Sequence, residues 1–285
     1  MKIVESIVEL QAYLDLQRLK GKAVGLVPTM GALHQGHLEL IHASVHACDL
    51  TVCSIFVNPT QFNNPDDLLK YPKQLETDQQ LLSKAGCDVV FVPTVAEMYP
   101  DQTESLSMSF GVLEHVLEGE FRPGHFSGVG VVVSKLLNIV QPQVAFFGQK
   151  DLQQLAVIRK MVRDLNIRTK IVAVPTVREP SGLAMSSRNL RLSEIEKEIA
   201  AHLYKTMQGL KDRVCFGDNV PVAIAQSKDL LAQVDGLQLE YLEVVDSATM
   251  QVVSDLSAAD SISICAAAHV GEVRIIDNMY IKQTD

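Results

Sequence analysis

The sequence predicts a doubly wound α/β domain followed by a smaller α+β domain, and three observations carry that reading. Short apolar runs recur with little polar interruption, as in parallel strands covered on both faces. Segments with apolar residues at helical spacing lie between them. After Pro175 the order changes to a polar loop, then helices, then strands.

Ala23–Val27 reads as the first buried strand, Thr51–Val57 as the second and Asp88–Val92 as the third. Val144–Phe147 and Lys170–Val174 are the fourth and fifth. Leu38, Ile41, Val45 and Cys48 mark one helical stripe, and Leu75, Leu82 and Ala85 mark another that ends at Gly86. Val129, Val132, Leu136 and Ile139 mark a third, stopped before Pro142; Leu152, Leu155, Ile158, Val162 and Leu165 mark a fourth. Residues 176–191 form a polar loop bearing serines and arginines. Ser193 and Glu196 have capping-box spacing and open a helix, and a second helix follows Pro221. Leu237–Val245, Ser261–Ala267 and Val273–Asp277 read as strands. The expected domains are residues 1–177 and 178–285.

With 47% apolar and 21% charged residues in 285, the chain is neither mainly disordered nor fibrous, and it is long enough to bury a core without staples. The net charge is −9, with no basic block, which argues against nucleic-acid or membrane-surface partners. A few placed Lys and Arg still suffice for a small anion. Five scattered cysteines without CxxC spacing suggest buried free thiols in a reducing compartment. Acidic residues interrupt the N-terminal apolar stretch MKIVESIVEL, and no apolar run reaches transmembrane length. The expectation is a cytoplasmic protein.

The strongest chemical signal is Val27-Pro28-Thr29-Met30-Gly31-Ala32-Leu33-His34-Gln35-Gly36-His37, between the first strand and the first helix. Ligands of a doubly wound sheet sit at the carboxyl ends of its strands, and a helix N-terminus there aims N–H groups at phosphate. Gly31 and Gly36 permit close backbone approach, and two histidines can donate to phosphate oxygens. A metal reading of His34, His37, His42 and His46 lacks a completing Cys or carboxylate, and His42 and His46 read as a solvated helix flank.

The His-x-Gly-His pattern is similar to that of the nucleotidyl-transferring Rossmann-like superfamily. The longer string Pro28–His37, followed by Phe56-Val57-Asn58-Pro59-Thr60-Gln61-Phe62, resembles the pantothenate synthetase family. Arg122-Pro123-Gly124-His125-Phe126, Phe146-Phe147-Gly148-Gln149-Lys150-Asp151 and Met185-Ser186-Ser187-Arg188-Asn189 continue the match in the family's order. The blocks span about residues 23 to 191; the C-terminal third matches mainly in position and size.

The resemblance implies a two-step ligase. Pantoate and ATP, with Mg²⁺, give a pantoyl adenylate and pyrophosphate; β-alanine then displaces AMP to give pantothenate. It implies catalytic roles for His34, His37 and Lys150, and nucleotide contacts from Met30, Gly31, Ala32, Leu33, His34, Gln35, Gly36 and His37. Further nucleotide contacts fall to Gly148, Gln149, Lys150, Asp151, Val177, Met185, Ser186, Ser187 and Arg188. Gln61 contacts pantoate and lies near the β-alanine position, and Gln154 is the second pantoate contact, with Gln153 as the nearby alternative to Gln154. Many members carry Glu where Gln149 stands, so the role of that side chain stays open. The resemblance also implies a homodimer through the first domain and a C-terminal lid.

Asp78 is a candidate magnesium or substrate-side acid, with an exposed helix acid as the preferred reading, and the metal ligands are unassigned. Asp151 caps a helix or meets ribose. A nucleotidylyltransferase and a catalytically idle nucleotide-binding regulator are the rival functions. The Asn58–Phe62 block and the full-length C-terminal domain oppose the first, and the complete signature motifs oppose the second. The acidic chain and the lack of an anticodon-binding extension disfavour a tRNA synthetase.

Overall fold

The computed structural model describes residues 1–63, 65–101 and 106–282. The chain forms two compact units, Met1–Gly148 with Val157–Val174, and Gln149–Ala156 with Pro175–Asp285.

The first unit holds β1 (Lys2–Val4), α1 (Ile7–Leu19), β2 (Val24–Thr29), α2 (Gln35–Ala47), β3 (Leu50–Ile55), α3 (Pro65–Leu69), α4 (Leu75–Lys84) and β4 (Val89–Phe91). It continues through α5 (Val95–Met98), α6 (Glu118–Phe121), α7 (His125–Val140), β5 (Val144–Gly148), the later part of α8 (Leu152–Asp164) and β6 (Lys170–Val174). Six parallel strands run in the order β1-β4-β3-β2-β5-β6. The chain steps from β2 outward to β3 and β4, then returns to place β5 on the other side of β2. That reversal is the topological switch point, and it puts the carboxyl ends of β2 and β5 at the crevice where this architecture binds ligands.

The near-continuous apolar runs have the expected cause, since every residue of β3 is buried and β2 is buried at all but Pro28. α7 is buried at 13 of its 16 positions, so it is an interior helix instead of an amphipathic one. α2 departs from the expected stripe. Its buried positions are Leu40, Ile41 and Ser44, whereas Val45 is exposed. Ser44 turns inward because its hydroxyl bonds the Thr51 hydroxyl at 2.8 Å, and Gly25 makes room: a Cβ there would lie 2.3 Å from Ser44 Oγ. The sequence reading misses β1 and α1, as well as the short helices α3, α5 and α6. β1 has three residues, and α1 buries only Leu10 and Leu14.

The second unit contains α9 (Glu194–Cys215), α10 (Val220–Ala232) and an antiparallel sheet of β7 (Leu237–Asp246), β8 (Ile262–Val270) and β9 (Val273–Lys282). α9 opens on the expected capping box: Ser193 Oγ accepts from Glu196 N–H at 3.3 Å, and Glu196 accepts from Ser193 N–H at 2.8 Å. α10 starts at Val220 instead of after Pro221, with Asn219 accepting from Val222 N–H at 3.2 Å. Pro tolerates that first turn because its missing N–H has no partner there anyway. Leu203, Met207 and Leu210 of α9 pack with Leu231 of α10 and Leu242, Ile264 and Ala266 of the sheet to form this unit's core.

Among the described residues no helix is long and apolar enough to cross a membrane. All five cysteines are free thiols; Cys53, Cys87 and Cys265 are buried, Cys48 is half-buried and Cys215 is exposed. Burial pushes the Cys53 thiol well up and the Cys87 thiol up to about 12, so neither forms a reactive thiolate near neutrality. A disulfide reagent at about pH 8 should titrate Cys215 first and Cys48 more slowly, and should reach the other three only on unfolding. Rapid reaction of a third thiol in the native protein would contradict this burial.

Candidate active site

The turn after β2 is built from backbone strain and one buried carboxylate. Gly31 has φ of 82° and Ala32 has φ of 50°, so two successive residues sit in the left-handed region. A Cβ at Gly31 would meet both Asp78 Oδ2 and Ile55 Cγ2 at 3.1 Å. Ala32 bears a steric penalty that Gly would not. What holds it is Asp78, in the first turn of α4. Its Oδ2 accepts from Ala32 N–H at 2.9 Å and its Oδ1 from Leu33 N–H at 2.8 Å. Asp78 is 1% exposed, which overturns the reading of an exposed helix acid. Both oxygens are engaged on the turn, so it is a structural anchor.

Beyond the turn, His34 is the N-cap of α2. Its Nδ1 accepts from Gly36 N–H at 3.1 Å, while His37 Nδ1 accepts from His34 N–H at 3.3 Å. The two rings lie 4.1 Å apart between centroids. Because each Nδ1 accepts a backbone N–H, the hydrogen-bond pattern assigns the proton of each neutral ring to Nε2. Both histidines therefore present an N–H donor at the start of a helix whose dipole favours anions. Gln35 is exposed and its amide bonds Glu39 at 2.7 Å. His42 is partly exposed, with Nδ1 3.6 Å from Glu39, and His46 is exposed, so both flank the helix as expected.

Gln61 closes a 3₁₀ turn after β3 and is 8% exposed. Its Oε1 accepts from Asn58 Nδ2 at 3.2 Å, and its Nε2 lies 2.9 Å from Met30 Sδ. Asn58 is 1% exposed and is itself fixed by the Tyr99 hydroxyl at 2.9 Å, the Thr60 hydroxyl at 3.1 Å and the Gly128 carbonyl at 3.2 Å. Burial raises the Tyr99 phenol, which keeps it a neutral donor to Asn58. His125 Nδ1 donates to the Gln61 carbonyl at 2.8 Å. From sequence alone Asn58 is part of an Asn-Pro turn, and Tyr99 and His125 have no role. The Asn-Pro-Thr-Gln and Arg-Pro-Gly-His strings are the signal that could have joined them.

Gly148 ends β5 in the first unit, and the remaining candidates lie in the second unit. Gln149–Asp151 form a 3₁₀ turn leading into α8. The Lys150 side chain is 18% exposed, with Nζ 3.7 Å from Asp151 Oδ1, and Asp151 is exposed. Gln153 is buried and Gln154 half-buried on the first turn of α8. Met185 N–H donates to the Val177 carbonyl at 2.9 Å, so the two separated nucleotide candidates share one hydrogen bond. Ser186 caps the next 3₁₀ turn by accepting from Arg188 N–H at 3.3 Å, and Ser187 is buried. Asn189 fastens this segment, donating to Glu179 at 3.1 Å and to the Ala184 carbonyl at 3.0 Å. Among the described residues no three His, Cys, Asp or Glu side chains converge to hold a metal ion.

Comparison with known proteins adds to this geometry. A family model described as pantoate-beta-alanine ligase matches residues 2–280. The pantothenate synthetase of Cytophaga hutchinsonii is 48% identical over 280 residues, 98% of each chain. That of Phocaeicola vulgatus is 48% identical, covering 99% of this chain and all of its own. The crystal structure of pantothenate synthetase from Thermus thermophilus superposes with a TM-score of 0.93 at 40% identity, covering 99% of this chain and 100% of that one. The pantoate-beta-alanine ligase from Francisella tularensis, complexed with beta-gamma ATP and beta-alanine, gives 0.81 at 36% identity, with 100% and 99% covered. A match that runs through both units, in sequence and in fold, leaves one conclusion: the chain belongs to the pantoate–β-alanine ligase family.

Proposed function

We propose that this ligase makes pantothenate from pantoate, β-alanine and ATP in two steps, through a pantoyl adenylate. The observation that carries the reading is the turn after β2, where two histidines with Nε2–H donors open α2 behind a backbone held by Asp78. In the first step a pantoate carboxylate oxygen attacks the α-phosphorus of ATP and pyrophosphate leaves. In the second the β-alanine amine attacks the acyl carbon and AMP leaves. The substrate carboxylate is the nucleophile, so the chain's work is positioning and charge stabilisation.

In this scheme His34 and His37 donate to phosphate oxygens as charge moves onto them, and Met30–His37 follows the nucleotide. Gly148–Asp151 and Ser186–Arg188 also serve the nucleotide, with Lys150 as a point charge. The Val177 backbone meets the adenine, and Met185 contacts the nucleotide beside it. Gln61 and Gln154 bind pantoate, and the rigid Asn58–Tyr99 support explains how a lone amide can present a fixed donor and acceptor. The functional domains are residues 1–177, for nucleotide and pantoate, and 178–285, a C-terminal lid. Mg²⁺ enters with the ATP phosphates: the described residues form no cage for it, and Asp78 has both oxygens engaged, so no step is assigned to the metal. A cytoplasmic homodimer completes the proposal.

Pantoate-dependent exchange of labelled pyrophosphate into ATP tests it. Exchange is expected with pantoate, ATP and Mg²⁺ alone. If β-alanine proves obligatory for any exchange, the two-step scheme fails. Exchange driven by a phosphorylated cofactor precursor in place of pantoate would favour the nucleotidylyltransferase alternative.

A further inference from the structure

We propose that Asn278, on β9, is a positioning residue for the adenylation step, acting through the backbone on either side of Lys150. The inference rests on the phosphate-binding role given to Lys150 above. Asn278 is 3% exposed. Its Nδ2 donates to two consecutive carbonyls, Gln149 at 3.0 Å and Lys150 at 2.6 Å. Those carbonyls belong to the two peptide planes that flank the Lys150 Cα. One amide therefore pins both planes, and with them the direction in which the Lys150 side chain leaves the backbone.

Asn278 is in turn fixed by a partly buried ion pair. Arg178 meets Asp277 through two contacts, at 2.6 and 3.0 Å, and Asp277 Oδ1 accepts from Asn278 N–H at 2.7 Å. Arg178 also donates to the carbonyls of Gly182 at 3.0 Å and Asn278 at 3.3 Å, and lies over the Tyr204 ring at 4.0 Å. A planar guanidinium fits this fork where Lys would not. Arg178 follows Val177 directly, so one network ties β9 to both nucleotide segments of the second unit. The position also carries a cost, because Asn278 Oδ1 is buried without a partner. An apolar side chain would avoid that cost, and flipping the amide would set its oxygen against the two carbonyls. The two donated bonds must outweigh it.

The test uses the full chain and single-turnover adenylation in four variants: Asn278→Ala, Asn278→Ser, Lys150→Met, and Lys150→Met with Asn278→Ala. A misplaced group costs about 10²-fold, so Asn278→Ala should slow adenylation on that order with KM for pantoate unchanged. Asn278→Ser keeps one donor and should fall between, which also answers the question if the alanine variant folds poorly. In the Lys150→Met background Asn278→Ala should add nothing, since its effect passes through that lysine. Equal losses in both backgrounds would make Asn278 a general prop and overturn the inference while leaving the role of Lys150 intact. Adenylation near wild type in Lys150→Met would overturn the role of Lys150, and this inference with it.

Discussion

Lys150→Met should lower kcat roughly 10²–10³-fold, about 2.7–4 kcal/mol, by analogy with removing one preorganised charge-stabilising donor. Negative charge shifts onto pyrophosphate as the α-phosphorus is attacked. A cation held near it stabilises the transition state more than the ground state, so its loss appears in the rate. The fold should survive the change. The side chain is partly exposed, and its ion-pair contact among the described residues, 3.7 Å to the half-exposed Asp151, is of the kind that contributes little to stability. Met keeps the length of the stem and removes the charge. His37→Ala should fall in a similar range, and the double variant should be less than additive if both groups serve one phosphate. Single-turnover adenylation on folded Lys150→Met decides the matter, and a rate near wild type would remove this lysine from the reaction.

Those candidates are legible because they sit in short contiguous strings beside strong strand and helix patterns. Met30–His37 follows β2 and opens α2, and the Ser193–Glu196 box opens α9; both signals are complete within a few residues. The second compact unit takes up the chain again at Pro175, where the sequence pattern changes, but it also contains Gln149–Ala156, which that change does not reveal. What the sequence hides is the polar support reached across long stretches of chain. Asp78 reads as one more helix acid, yet its partners are amides 45 and 46 residues away. Asn278 lies just beyond the last predicted strand, Val273–Asp277, and its partners lie 128 and 129 residues back. Hydrophobic period reports which face of an element is covered, not which buried backbone group a lone carboxylate or amide satisfies. The misread face of α2 has the same origin, since Ser44 is inward only because Thr51 bonds it and Gly25 makes room.

Asp78→Asn should destabilise the first unit and disable the turn together. Hydrogen bonds to a charged group are worth about 1.5–3 kcal/mol each, so losing both approaches roughly 3–6 kcal/mol. An amide can still accept one N–H through its oxygen, but it faces the other with its own N–H, so the loss should lie toward the lower end. At roughly 2–4 °C per kcal/mol, Tm should fall by about 10 °C. Adenylation should fall too, because His34 and His37 follow directly on a turn that no longer holds its left-handed residues. The strain at Ala32 provides an internal control. Gly relieves the steric penalty at φ of 50° only where the residue is held left-handed, while its extra unfolding entropy applies in both backgrounds, so Ala32→Gly should cost about 1 kcal/mol more once Asp78→Asn lets the turn relax. In the wild-type chain, where Asp78 already enforces the turn, the entropy Gly gains on unfolding offsets most of that relief, so Ala32→Gly alone should be nearly neutral. Thermal melts and single-turnover adenylation of the two single variants and the double variant give the comparison. Strict additivity would mean that Asp78 does not hold Ala32 in its strained conformation, and an Asp78→Asn protein with wild-type Tm and rate would mean that the turn does not depend on the carboxylate at all.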